Sequence, residues 1–397
     1  MRYDDKKRLP EGVSDVLPGA CKRRRQIEEK LLERFCMCGY DEVRTPVLEY
    51  FSLYQGTDGS RETSAIKTFD RDGRILALRP EFTTPIARMV STRMQDAPLP
   101  LRLCYQGVAF RSKFDRAGLR GMEFTQAGVE LLGLSGPHAD AEVIALAASS
   151  MEAAGLRDYL IDIGQVEFFK GLMEEAGADA ELSEELRVAV EQKSTLSMEM
   201  LLRSSRFSRE LQNKIMALPS MYGGPEVIYQ AMGMTRSPRC RAALDNLLAV
   251  YGILDGWGLS DRLTIDLGLV HSIDYYTGAV FRGISGYVGS PILSGGRYDR
   301  LMDEFGAPSA ATGFALGVER LLEALWKQDG EVPSGGVDIV AACTRYDAVE
   351  LAAVERWRAQ GKRVELWYGA DRDEMLQYAA SRGARAVKLS GSEVVDA

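Results

Sequence analysis

The apolar residues of this chain change period several times, and each change marks an element. In CKRRRQIEEKLLERFCMCGY, Ile27, Leu31, Leu32 and Phe35 recur at helical spacing, and Gly39 closes the run. DEVRTPVLEY reads as a short extended segment. Three strand-like runs follow: RILALRPE, LRLCYQGVAFR and MEFTQAGVELLG. The turn-rich SKFDRAGLRG, from Ser112 to Gly121, predicts a hairpin loop between the last two. Pro137 opens a long helix through HADAEVIALAASSMEAAGL, and DYLIDIG reads as a buried strand.

From about Gln165 to Arg262 the pattern is almost wholly helical, through SEELRVAVEQKS, SRELQNKIMALP and CRAALDNLLAVYGIL. This predicts a helical insertion over 165–261. Strand patterns resume at RLTIDLGLV and continue through AVFRGI, PILSGG and ATGFALG, ending in the helix VERLLEALWKQ. DGEVPSGG, over 329–336, has linker composition. Beyond it, over 337–397, a β-α-β-α-β pattern predicts a small α/β unit. There is no internal repeat and no low-complexity tract.

Hydrophobic residues make up 46% and charged residues 27%, as expected of a soluble globular protein with a sizeable core. The net charge is −8 and the sequence pI about 5.2. That disfavours a general basic surface for nucleic acid, tRNA included, or for acidic membranes. The two basic clusters, Lys6-Lys7-Arg8 and Lys22-Arg23-Arg24-Arg25, read as solvated helix faces. The six cysteines are scattered without a CxxC pair, and there are only two histidines. No metal site and no cofactor is expected. Free thiols, the absence of an apolar leader and the lack of a membrane-length apolar run predict a cytoplasmic protein.

The candidate chemistry lies where polar residues interrupt apolar strands, because a buried charge is costly unless paired. LRPEFTTPIAR supplies Arg79, Glu81, Thr83, Thr84 and Arg88. YQGVAFR ends in Arg111. In FTQAGVE, Gln126, Gly128 and Glu130 alternate by two and share one strand face. LVHSIDYYTG, ILSGGRYDRL and GFALGVERL contribute His271, Asp274, Tyr275, Tyr276, Arg297 and Arg320. Taken singly, each has an ordinary reading. Arg79 and Glu81 fit a surface ion pair, worth about 0–1 kcal/mol. Gln126 and Glu130 fit the solvent face of an edge strand, the tyrosines core aromatics, and His271 a structural histidine. Walker, GxGxxG and nucleophile-elbow motifs are absent.

Together, and in this order, the segments resemble the catalytic domain of class II aminoacyl-tRNA synthetases, in the histidyl branch. GYDEVRTPVLE is similar to motif 1, the dimer-forming element. FR…FTQAGVELLG is similar to motif 2, and GFALGVERL to motif 3. LVHSIDYYTGAVF and SGGRYDRL are similar to the two histidine-specific motifs. The resemblance spans roughly residues 8 to 328. It implies an α+β fold: a class II synthetase-like antiparallel sheet flanked by helices, over 1–164 and 262–328, with the helical insertion and a small C-terminal α/β unit. By matching position, it implies a histidine pocket of Glu81, Thr83, Arg111, Gln126, Glu130, Asp274, Tyr275 and Tyr276. Acids suit the ammonium group, an arginine the carboxylate, and tyrosines the ring.

The synthetase pattern breaks at three places. His271 stands where the motif has arginine, and histidine lacks the guanidinium fork and is mostly neutral near pH 7. Lys113 stands where Phe-Arg-x-Glu has glutamate. The anticodon-binding domain is expected to continue beyond the third strand, whereas the sequence ends at Ala397. Arg320 is kept, so Lys113, His271 and Arg320 form a degraded adenylation site, and no catalytic residue is expected. This combination resembles the synthetase paralogues that serve as regulatory subunits of ATP phosphoribosyltransferase. That resemblance implies a homodimer core, a hetero-octamer with the short catalytic subunit, a requirement for that subunit's activity, and feedback inhibition by histidine. Two other readings stay open: a divergent histidine-adenylating ligase, and a scaffold without small-molecule binding.

Overall fold

The computed structural model describes residues 7–55, 65–112, 121–270, 276–307, 309–330, 336–391 and 393–396. The chain divides into two compact units. One comprises Met1–Asp15 with Arg24–Gly330, the other Val16–Arg23 with Glu331–Ala397.

The larger unit is built on a nine-stranded sheet. Its spatial order is Asp41–Glu42, Leu101–Phe110, Glu123–Leu132, Ala311–Gly317, Val288–Arg297, Ala279–Ser285, Leu160–Gln165, Leu263–Asp266 and Tyr222–Gly223. Neighbours are antiparallel except at two places. Strand 41–42 runs parallel to 101–110, and 160–165 runs parallel to 263–266. The strands alternate cleanly. Ala127, Val129 and Leu131 face one core, where Ile27, Leu31 and Phe35 of helix Pro18–Met37 and Ile144 of helix Pro137–Ala154 cover the sheet. Burying Leu31 or Phe35 completely contributes about 1.5–3 kcal/mol each, an upper bound because the unfolded chain already buries part of that surface. Leu101, Leu103, Tyr105 and Leu132 face the other core with Phe82, Ile86, Tyr276 and Tyr298.

Two sequence expectations change here. Strand 123–132 is interior, paired on both sides, so Gln126 and Glu130 do not lie on the solvent face of an edge strand. Thr83, Thr84 and Arg88 lie not on a strand but on helix Thr83–Arg93, with Pro85 in its first turn. A separate three-stranded sheet joins Leu48–Tyr50, Ile75–Leu78 and Ile66–Phe69.

Between strands 160–165 and 263–266 lie helices Val166–Ala176, Ala180–Glu191, Thr195–Ser204, Arg209–Ala217, Glu226–Met234 and Pro238–Gly256. Asp179, Ser194, Ser208 and Ser237 each cap the N-terminus of the helix that follows, accepting a hydrogen bond from an otherwise unpaired backbone N–H. In the smaller unit, parallel strands Ile339–Cys343, Val364–Trp367 and Arg385–Ser390 match the sequence pattern. A fourth, antiparallel strand, Glu393–Asp396, is added beside the last of these. Among the described residues, no helix is long and apolar enough to cross a membrane.

Candidate functional site

The floor of the site is a patch of sheet where side chains are missing. Gly128 lies opposite Tyr105 on one neighbouring strand and Ala315 on the other, and Gly313 lies opposite Glu130. A Cβ on Gly313 would stand 2.0 Å from Glu130 Oε2, and one on Gly128 would stand 2.5 Å from the Tyr105 hydroxyl. Both glycines are therefore required by close approach. They let polar side chains lie flat on a sheet that is otherwise densely covered.

Glu130 projects from this floor and is 2% exposed. Thr83 Oγ1 donates to its Oε1 at 2.7 Å, and the Tyr298 hydroxyl donates to its Oε2. Burial pushes the Glu130 carboxyl up to about 8, against the opposing pull of those two hydrogen bonds, and the neighbouring Glu81 charge adds to the rise. Glu81 is held at the start of helix 83–93, where its carboxylate accepts the Thr84 backbone N–H at 3.1–3.2 Å. Burial raises its carboxyl also. Glu81 keeps intermediate exposure, whereas Glu130 is buried. Two enclosed acids that disfavour each other's charge form a cluster that an incoming cation would relieve.

Tyr276 walls the cluster. It is 6% exposed, its ring lies against Gly296, and burial with Glu130 and Glu81 nearby raises its phenol. Lys170 donates to its carbonyl at 2.8 Å. Gln126 shares the face of Glu130, and its buried Oε1 has no hydrogen-bond partner among the described residues. Arg111 stacks on Phe124, its guanidinium carbon 3.7 Å from the ring centroid. The structure thus brings Glu81, Thr83, Glu130 and Tyr276 together, with Gln126 on the same floor. Arg320 donates to the Pro291 carbonyl at 2.5 Å. Asp274, Tyr275, Lys113 and His271 lie outside the described residues, as do most of the 112–121 loop and the 329–336 linker.

Two arginines take roles other than those the sequence pattern offered. Arg79 does not form a surface pair with Glu81. It is 6% exposed and donates to the carbonyls of Thr45 at 2.6 Å and Val108 at 2.9 Å. Arg297 is a structural tie. Its guanidinium bonds the buried Asp140 at 2.8–2.9 Å, Asp299 at 3.0 Å and the carbonyl of Leu134. Conversely, Tyr298 and Tyr105 belong to the polar cluster and escaped the sequence reading. Tyr298 stands inside the motif SGGRYD, directly after a buried strand, which was the available signal. Tyr105 becomes visible only through the register that sets it against Gly128.

A cleft of about 740 Å³ elsewhere in the unit is lined by Arg34, Arg102, Glu142 and Trp257, among others. Its charged groups satisfy one another: Arg102 grips Glu142 at 2.8 and 2.9 Å, and Arg34 donates to Ser149. It shares no lining residue with the acidic cluster.

The antiparallel sheet, its flanking helices and the acid-and-tyrosine floor define a class II aminoacyl-tRNA synthetase-like domain of the histidyl branch. The histidyl-tRNA synthetase family model matches residues 12–321. A histidyl-tRNA synthetase of Nostoc sp. PCC 7120 shares the fold at a TM-score of 0.80 and 19% identity, covering 96% of this chain and 92% of that one. A Bacillus halodurans structure described as an ATP phosphoribosyltransferase regulatory subunit/histidyl-tRNA synthetase is similar at a TM-score of 0.85 and 31% identity, covering 98% and 99% of the two chains. The ATP phosphoribosyltransferase regulatory subunit of Acetivibrio thermocellus is 42% identical over 94% of this chain and 90% of its own. That of Symbiobacterium thermophilum is 40% identical over 96% of each. The chain belongs to the ATP phosphoribosyltransferase regulatory subunit family.

Proposed function

We propose that the protein is a non-catalytic histidine sensor in the cytoplasm. It joins a short-form ATP phosphoribosyltransferase catalytic subunit in a hetero-octamer, is needed for that subunit's activity, and carries feedback inhibition by histidine. The observation that supports this most is the Glu81–Thr83–Glu130–Tyr276 cluster. It sets two acids, suited to an ammonium or imidazole N–H, beside a tyrosine wall. The neighbouring sequence lacks two of the groups that the synthetase motifs carry, with His271 and Lys113 replacing arginine and glutamate of the motifs. Histidine inhibits by binding the inactive state of the complex more tightly than the active one, since a ligand of equal affinity shifts nothing.

Self-association is part of this reading. On the three-stranded sheet, Leu48 pairs with Leu78, Tyr50 with Leu76 and Ile66 with Leu78, so these apolar side chains share one face. Leu48 is 46% exposed and Tyr50 47%. A half-exposed apolar face in the motif 1 segment fits a homodimer contact.

The test is co-purification with a short-form catalytic subunit, then assay with and without histidine. Activity that appears only in the mixture and falls with histidine is the expected result. A folded protein that neither binds nor activates the catalytic subunit overturns the reading. The kept arginines Arg111 and Arg320 favour the second reading, a histidine-adenylating ligase. Histidine-dependent exchange between ATP and pyrophosphate by the isolated protein would establish it instead.

A further inference from the structure

The Tyr105 hydroxyl is buried on the sheet face that carries Glu130 and, among the described residues, has no hydrogen-bond partner. A buried hydroxyl left unmatched costs about 1–3 kcal/mol, and native interiors rarely keep one without a reason. Its ring is not there by accident of packing. It stacks on Phe82 with centroids 4.5 Å apart and planes 13° from parallel, and the Arg79 guanidinium lies over the Phe82 ring, 4.0 Å from its centroid. Arg79 is itself pinned by the carbonyls of Thr45 and Val108. A column of three side chains therefore fixes the hydroxyl in place. Gly128 beneath it leaves out the one atom that would press on the oxygen. The titratable groups that act on the phenol are Glu130, Glu81 and Tyr276, which are the walls of the proposed pocket.

We infer that Tyr105 is an unassigned ligand contact: its hydroxyl hydrogen-bonds the bound amino acid and helps to select it. The inference rests on the histidine-binding reading given above. The alternative partner is a trapped water, which would satisfy the oxygen without any role in recognition.

Calorimetric titration of L-histidine into the full-length protein and into Tyr105→Phe separates the two, together with thermal unfolding of both with and without the ligand. The variant keeps the ring and its stacking and removes only the unmatched oxygen. Its ligand-free Tm should equal or exceed that of the wild type. Its affinity for histidine should fall about tenfold or more, and the upward Tm shift given by saturating histidine should shrink to match. Equal affinity in the two proteins assigns the oxygen to water and overturns the inference while leaving the histidine reading intact. Weakened binding accompanied by a lower ligand-free Tm assigns Tyr105 to packing and overturns it equally. No binding to the wild type sinks the histidine reading and this inference with it.

Discussion

At the scale of single residues, the site depends on what is absent as much as on what is present. Gly313 faces Glu130 so closely that an added methyl would sit 2.0 Å from Oε2 and 2.4 Å from the Val129 carbonyl. Gly313→Ala should therefore displace Glu130, abolish histidine binding in a calorimetric titration, and destabilise the fold by about 1–3 kcal/mol in urea unfolding. Glu130 itself makes stability depend on pH. Its carboxyl titrates near 4.5 in an unfolded chain and at about 8 in the fold. Between those values the folded state holds a proton that the unfolded state has released. Stability falls as pH rises through this window and levels off above it. Glu130→Gln cannot titrate. Unfolding at about pH 5 and about pH 8.5 should show a smaller fall for the variant than for the wild type, by on the order of a few kcal/mol. Gln126, Gly128 and Glu130 were legible as sharing a face because they alternate, whereas Glu81, Thr83 and Tyr276 were suggested by the motif resemblance. Tyr105 and Tyr298 were not, because a side chain's partner across a sheet depends on register.

At the scale of elements, buried ion pairs and carbonyl ties decide how strands and helices are joined. Arg297 at the end of strand 288–297 reaches Asp140 in the first turn of helix 137–154. Arg297→Met leaves that acid buried and unpaired, for a loss of about 3–5 kcal/mol near neutral pH. Burial already raises the Asp140 carboxyl, and losing the arginine raises it further. The defect should therefore narrow as pH falls and the acid takes up a proton, which unfolding curves at acidic and neutral pH will show. The same logic explains where the sequence misled. An arginine and a glutamate two apart on a strand read equally well as a surface pair, yet Arg79 goes inward because the carbonyls of Thr45 and Val108 need a donor. Periodicity gave the long strands and the helices between 166 and 256. It missed helix 83–93 because the helix opens on Thr83-Thr84-Pro85 and its N-cap, Phe82, has no capping side chain, and it missed strand 393–396 because all four of its residues are exposed.

At the scale of the whole molecule, the apolar face of the three-stranded sheet carries the prediction. Leu48→Asp places a charge on that face, and light scattering after size exclusion should show the mass falling to half while the monomer stays folded. An unchanged mass would remove that face from the interface. The nine-stranded sheet has a further consequence, which concerns time. Strand 123–132 completes its pairing only with strand 311–317, so the floor that holds Glu130 is joined from distant parts of the chain. Translation at about 5–20 residues per second separates the two strands by roughly 10–40 s. During that interval the Glu130 carboxylate has no Gly313 above it and no Tyr298 hydroxyl to meet. A site built on this floor is therefore complete only once both strands have been made, so any ligand it takes meets finished molecules and not the nascent chain.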